Sequence, residues 1–329
     1  MNWNGYEVLI TGASGFIGSH LVEEMVHRGA KVKAFVHYNA RGDIGLLRYA
    51  DPGLLDQVEL YFGDLKDPVA VRQAMEGTRT VFHLGALIGI PYSYVNPYDV
   101  VQTNVMGTLN VLTAARQLGL ERVIHTSTSE VYGSARYVPI DEAHPLQGQS
   151  PYSASKIGAD KLAESFHLAF GLPVTTVRPF NTYGPRQSTR AVIPTIIVQA
   201  LTQDVIKLGS LDTTRDFTHV IDTAHGFIAA AETEAAIGET LNLGVGEEIS
   251  VGDLARLIIK LVGRDVRIES ESARMRPAGS EVNRLLSNNS KGRQLTGWAP
   301  QYDFKRGLTD TIAWISQHLD IYQAKRYAI

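Results

Sequence analysis

Short runs of β-branched and aliphatic residues alternate, through the first half of the chain, with longer stretches whose apolar positions recur every three or four residues. The run from Glu7 to Thr11 predicts a buried strand. Gly15 to Arg28, with Ile17, Leu21, Val22 and Met25 on one face, predicts a helix. Lys31 to Val36, Gln57 to Tyr61 and Thr80 to Leu84 read as the next three strands. A helix from about Tyr98 to Gln117, a strand over Arg122–Thr126, a helix over Tyr152–Phe170 and a strand over Val174–Arg178 follow. Strands apolar on both faces, alternating with helices, imply βαβ units. The expected fold class is α/β, with a doubly wound parallel sheet.

After Arg178 the alternation breaks. Pro179, Gly184, Pro185 and Pro194 punctuate a loop-rich stretch, and helices are expected over Ser250–Val262 and Asp303–His318. The stretch from about Phe217 to Leu243, helical then extended, should return to the first domain. The reading is therefore a dinucleotide-binding domain of residues 1–178 plus about 217–245, and a smaller substrate domain of about 179–216 plus 246–329.

Composition narrows the possibilities. Of 329 residues, 44% are hydrophobic and 20% charged, which suits a large buried core and excludes disorder. A formal net charge of -3 with no Lys/Arg run offers nucleic acid no electrostatic footing. The absence of cysteine rules out disulfides, thiolate catalysis and Cys-ligated metals, and fits a reducing compartment. The opening MNWNGYEVLITG runs into a strand without a leader pattern, and no apolar run approaches the ~20 residues of a membrane span. A soluble, cytoplasmic protein is expected.

Candidate chemistry begins with Thr11-Gly12-Ala13-Ser14-Gly15-Phe16-Ile17-Gly18, between the first strand and the first helix. Glycines at this turn let backbone approach a pyrophosphate, whose charge sits on the helix N-terminus. A nicotinamide dinucleotide is the expected ligand. The second strand ends Phe35-Val36-His37-Tyr38-Asn39-Ala40-Arg41 with no acid until Asp43. The usual feature excluding a 2′-phosphate is thus missing, and His37 and Arg41 could face one, which favours NADP mildly over NAD. Asp64 in Gly63-Asp64-Leu65 either contacts adenine or caps the following helix.

The fifth strand ends His125-Thr126-Ser127-Thr128-Ser129-Glu130, and a helix then opens with Tyr152-Ser153-Ala154-Ser155-Lys156. Tyr152 and Lys156, at i and i+4, share a helix face. An ammonium beside a phenol favours the phenolate, so the pair is expected to supply a base near neutral pH. His83, His125 and His219 show no metal-ligand spacing and read as core or loop residues.

The glycine loop, Thr128, Tyr152 and Lys156 together resemble the extended short-chain dehydrogenase/reductase superfamily, in its NAD-dependent epimerase/dehydratase family, over nearly the whole chain. The resemblance implies a Rossmann fold and places Leu65, Leu84 and Ala86 beside the cofactor. It places Pro91, Tyr92, Asn181, Arg186, Arg215 and Arg276 beside a nucleotide sugar. Asn104 is either a plain structural amide or a relay or backbone organiser. Thr128-Ser129-Glu130 is similar to the Thr-Ser-Glu of GDP-mannose 4,6-dehydratases and of UDP-glucuronate decarboxylases. Leu84–Tyr94, Ser150–Lys156 and Asn181–Gln187 resemble the N-acetylglucosamine-nucleotide 4,6-dehydratases of legionaminic-acid pathways. The implied chemistry is oxidation at C4 by Tyr152 and a tightly bound, regenerated NAD(P), then C5 deprotonation by Glu130, loss of water and hydride return to C6. Ser129 stands where glucose-type enzymes carry Asp, so Glu130 doubles as acid or Ser129 relays. The implied alternatives are a UDP-glucuronate decarboxylase with Arg186 facing the carboxylate, a 4-epimerase, a ketosugar reductase and a non-catalytic cofactor sensor. The implied assembly is a homodimer built through a four-helix bundle.

Overall fold

The computed structural model describes residues 1–274 and 282–322. In chain order the first half comprises β1 (Glu7–Thr11), α1 (Phe16–His27), β2 (Lys31–His37), α2 (Pro52–Leu55), β3 (Val58–Gly63), α3 (Pro68–Met75) and β4 (Thr80–His83). Next come α4 (Ile90–Val95), α5 (Pro97–Val101), α6 (Gly107–Leu118), β5 (Arg122–Thr126), α7 (Pro151–Phe170) and β6 (Val174–Pro179). The second half holds β7 (Asn181–Tyr183), α8 (Val192–Thr202), β8 (Val205–Leu208), β9 (Thr214–Arg215), β10 (Phe217–His219), α9 (Val220–Glu232) and β11 (Thr240–Leu243). It closes with β12 (Ile249–Ser250), α10 (Val251–Val262), β13 (Arg267–Ser270), β14 (Arg284–Leu285), α11 (Ser290–Thr296), α12 (Phe304–Gln317) and α13 (Leu319–Tyr322).

Seven strands form one parallel sheet in the order β11-β6-β5-β4-β1-β2-β3. Val8, Leu9 and Ile10 of β1 are fully buried, as a strand covered on both faces requires. One apolar layer packs α1 and α9 against the sheet through Leu21, Met25, Phe227 and Trp298. The other packs α3, α6 and α7 through Val71, Leu112, Ala163 and Phe166. Strand order reverses between β1 and β4, which opens a crevice at the carboxyl ends of the strands. The stretch from Phe217 to Leu243 does return to this sheet, where β11 pairs with β6 as its edge.

A third apolar cluster lies in the second half. On α10, Val251, Leu254, Ala255 and Ile258 sit at helical spacing and pack with Ile196 and Ile197 of α8 and Leu308 and Ile315 of α12. Among the described residues no helix is long and apolar enough to cross a membrane.

The single helix expected from Tyr98 to Gln117 is instead interrupted. A π-helical turn, Gln102–Met106, separates α5 from α6. Asn104 sits in that turn, and its amide accepts from Leu87 N at 2.8 Å and donates to Leu87 O at 3.0 Å and Ser155 Oγ at 2.9 Å. Asn104 is thus a backbone organiser. It fixes the loop after β4 to α7, and such turns recur where a helix must re-aim a side chain.

Candidate active site

The helix that carries Tyr152 and Lys156 starts where local chemistry dictates. Ser150 caps α7 in a reciprocal box with Ser153, Pro151 occupies the first turn, and Gly171 ends the helix in the left-handed conformation. The start of α7 therefore holds Tyr152 at a fixed height above the sheet. Opposite it, β5 ends in a tight turn in which Thr128 Oγ1 accepts from Glu130 N at 3.2 Å.

A cleft of about 1530 Å³ runs across the carboxyl ends of the strands. Gly12, Gly15, Phe16, Ile17 and Gly18 line one end, with His37, Asp64, Leu65, Leu84 and Ala86. Thr128, Ser129, Glu130 and Tyr152 line the middle, and Pro91, Asn181 and Arg215 continue it. Lys156 lies buried one turn beneath Tyr152. The volume exceeds that of an ordinary single-ligand pocket, so two elongated ligands meeting near Tyr152 fit it.

The glycine end suits a dinucleotide. Gly12 has φ 68°, and a Cβ there would lie 2.8 Å from Gly85 N; a Cβ at Gly18 would collide with Gly12 O. Glycine at these positions lets the turn close against Gly85 and against its own backbone. Gly15 precedes α1 without a side-chain cap, which leaves the first helical N–H groups for a pyrophosphate.

Burial dominates the electrostatics here. It pushes the Tyr152 phenol above its ordinary value, the hydrogen bond with Thr128 opposes it, and the charges of Glu130 and Asp160 push further up. Where a lowering by Lys156 was expected, burial leads and drives the phenol up, and the opposing pull comes from Thr128. Burial in turn lowers Lys156 to about 8, against the opposing pull of Asp160.

Three expected contacts fall elsewhere. Arg186 is held away from the cleft wall: its guanidinium donates to Glu23 at 2.7 and 2.9 Å and to Tyr49 O at 2.9 Å. Tyr92 turns its hydroxyl to Asp99 Oδ2 at 2.9 Å. Arg41 is exposed on a turn closed by Asn39, whose Oδ1 accepts from Arg41 N and Asp43 N, and it lies outside the cleft wall. Arg276 lies outside the described residues. At the cofactor rim His37 Nε2 is instead 3.8 Å from Asp64 Oδ2, so β3 brings an acid to the place that β2 lacks.

Three cations of the far cleft went unread in the sequence. Arg190, Lys207 and Arg274 join Arg215 along the far part of the cleft, a cationic lining suited to a diphosphate in which Arg274 and Lys207 also face Glu271 at 2.6 and 3.7 Å. Beside Arg215, the buried Asp216 carboxylate accepts from Val245 N, Gly246 N and Ser287 N at 2.9, 2.9 and 3.1 Å. Burial raises its pKa to about 6 in spite of those bonds. Asp160, one turn past Lys156, was open to detection by the same i, i+4 spacing that marks the Tyr152/Lys156 pair.

The sequence matches the GDP-mannose 4,6 dehydratase family over residues 9–311. A dTDP-glucose 4,6-dehydratase of Streptomyces griseus is 33% identical over 320 residues, covering 94% of each chain. The structure of a dTDP-glucose 4,6-dehydratase from Streptomyces venezuelae with NAD bound superposes with TM-score 0.85 at 28% identity, covering 96% of this chain and 99% of that one. A UDP-N-acetylglucosamine 4-epimerase from Methanobrevibacter ruminantium, in complex with UDP-N-acetylmuramic acid, gives TM-score 0.87 at 27% identity, covering 96% and 99%. A glycine cradle at the first strand turn and a tyrosine opposite a Thr-Ser-Glu turn, along a chain that matches over residues 9–311, place this protein in the NAD-dependent epimerase/dehydratase family of extended short-chain dehydrogenases.

Proposed function

We propose that the protein is a nucleotide-sugar 4,6-dehydratase that converts a UDP- or GDP-N-acetylglucosamine-type substrate to its 4-keto-6-deoxy product, akin to the enzymes of legionaminic-acid pathways. One observation carries this reading: Glu130 lines the same cleft as Tyr152, near enough for its charge to act on the phenol. A simple 4-epimerase needs one base at O4, whereas a dehydratase needs a second at C5.

A nicotinamide dinucleotide in the glycine cradle supplies a hydride acceptor for C4 and a hydride donor for C6. Tyr152 takes the 4-hydroxyl proton while Thr128 hydrogen-bonds O4, and Lys156 steadies the charge that develops on the phenol. Once C4 is a ketone the C5 hydrogen is acidic, and Glu130 removes it. Glu130 then returns that proton to the departing 6-hydroxyl, with the buried Ser129 orienting it. C5 regains a proton from solvent, and the proton held by Tyr152 is released there. Arg190, Lys207, Arg215 and Arg274 hold the diphosphate.

Decarboxylation of a glucuronate would need a cation at the sugar carboxylate, and the candidate Arg186 is committed to Glu23. The absent acid after β2 supports NADP, while Asp64 beside His37 supports NAD. We assign the cofactor half to residues 1–178 and about 217–245. The working form is a cytoplasmic homodimer joined through α5–α6 and α7, where Tyr98, Val101, Met106, Leu168 and Phe170 are exposed.

The test is a panel of nucleotide sugars incubated with the protein in deuterated water. Loss of the mass of one water, with deuterium at C5, is expected for an N-acetylglucosamine nucleotide. A product of unchanged mass, or release of carbon dioxide from UDP-glucuronate, would replace the reading with epimerisation or decarboxylation.

A further inference from the structure

We propose that Asp160 is a positioning residue that keeps Lys156 charged beneath Tyr152, through a carboxylate clamped from the far side by β5 and β6. Tyr152, Lys156 and Asp160 follow one another at i, i+4 and i+8 along a single face of α7, and all three are buried. The clamp is dense. Asp160 Oδ1 is 3.1 Å from His125 Nε2, and Asp160 Oδ2 accepts from Ser127 Oγ at 2.8 Å and from Arg178 Nε and Nη2 at 3.2 and 2.9 Å. Arg178 is fixed in turn, since its Nη1 donates to Tyr132 Oη at 2.9 Å and that hydroxyl donates to Asn242 Oδ1 at 2.7 Å.

The charge pattern shows what the clamp is for. The titratable and charged groups that reach this face are His83 of β4, His125 of β5, Glu130 and Tyr132 of the turn after β5, and Arg178 of β6. Asn104 and Thr108 of the neighbouring helical layer add uncharged contacts. Both histidines are fully buried and burial drives them neutral, with the charge of Lys156 adding to the effect. Arg178 pairs directly with Asp160 at 2.9 Å, and Lys156, one helical turn away on the same buried face, feels that carboxylate as a through-space charge. Without it, burial would act on the lysine unopposed, and buried ammonium groups titrate as low as pH ~5–6. Among the groups acting on Lys156, Asp160 supplies the charge that opposes burial.

The inference rests on Tyr152 as the base and is indifferent to which sugar is processed. It is tested without turnover by carbon NMR of holoenzyme carrying lysine labelled at Cε, with the Lys156 signal assigned by its loss in Lys156→Met. The wild-type signal should titrate between pH about 7 and 9, and in Asp160→Asn it should move down by at least about one pH unit. Ser127→Ala, which removes one bond and no charge, should leave it in place. The alkaline limb of the pH–rate profile, for whichever substrate the wild type turns over, should shift down with it in Asp160→Asn. An unmoved Lys156 signal in folded Asp160→Asn overturns the assignment. A wild-type midpoint below about 7 overturns it even if that variant does not fold. A dehydration assay that finds no substrate leaves the titration readable, so the two failures are distinguishable.

Discussion

The guanidinium of Arg186 grips both carboxylate oxygens of Glu23, 163 residues earlier in the chain, at 2.7 and 2.9 Å. Arg186 adopts φ 71°, a conformation rare for a side chain of its size, and His20 Nε2 lies 3.0 Å from the neighbouring Pro185 O. The loop after β7 is thus fastened to the helix whose N-terminus faces the cofactor cradle. Removing one partner strands the other. Glu23→Ala should cost about 3–5 kcal/mol, the range for a buried pair broken from one side. Denaturant unfolding reads it, and a loss under about 1 kcal/mol would mean the grip is not structural.

Tyr152→Phe should abolish C4 oxidation and leave dinucleotide and nucleotide binding near wild type. Single-turnover formation of reduced nicotinamide is the measurement. Turnover within about tenfold of wild type, a barrier change of only ~1.4 kcal/mol, would remove Tyr152 from its role.

Glu130→Gln keeps the shape of the second base without its proton affinity. This variant should still oxidise C4 and so accumulate reduced nicotinamide and a 4-keto sugar that retains its 6-hydroxyl. Mass spectrometry and proton NMR of the quenched mixture distinguish the outcomes. Normal dehydration by the variant would place the C5 base elsewhere.

At the rim of the cofactor cradle, His37→Asp would put a carboxylate beside Asp64. A 2′-phosphate would then meet two acids, whereas ribose hydroxyls would gain an acceptor. The ratio of NADP to NAD affinity should fall at least about tenfold, as read by titration of cofactor-free protein with each. An unchanged ratio would show that the 2′ position lies away from His37.

Asp216 predicts a pH dependence of stability. Its folded pKa of about 6 stands above the unfolded value of ~3.9. The folded state therefore binds more protons between those values, and this group's contribution declines as pH rises from about 4 to about 6. A gap of about two pH units between the folded and unfolded titrations corresponds to about 3 kcal/mol across that window. Denaturation at both ends should show this slope in wild type and its absence in Asp216→Asn, relative to each protein's own background.

What was readable along the chain is what depends on near neighbours. The strands over Glu7–Thr11 and Arg122–Thr126 follow from runs of apolar residues, and Tyr152 with Lys156 from one helical repeat. The glycine cradle is equally local, with each glycine required by backbone three to six residues away or by the adjacent strand. Arg186, Tyr92 and Arg41 were misplaced because a side chain's partner is a matter of assembly. Glu23 is distant in sequence, Asp99 competes for the Tyr92 hydroxyl, and Asn39 folds the turn that carries Arg41 outward. The π-helical turn at Asn104 had no signature, because a single turn of five residues is too short to set a period of its own in the apolar pattern.

The path of the chain also limits how such a protein can diversify. It leaves the seven-stranded sheet after β6 and re-enters it as β11, and β11 forms that sheet's edge. The segments packed around α8, α10 and α12 consequently cannot be exchanged as one contiguous cassette: any splice that removes them whole also unravels the sheet's edge. New specificity in this architecture is easiest to reach by rewriting loops in place, such as 187–191 and 209–213, while the sheet that carries the chemistry stays intact.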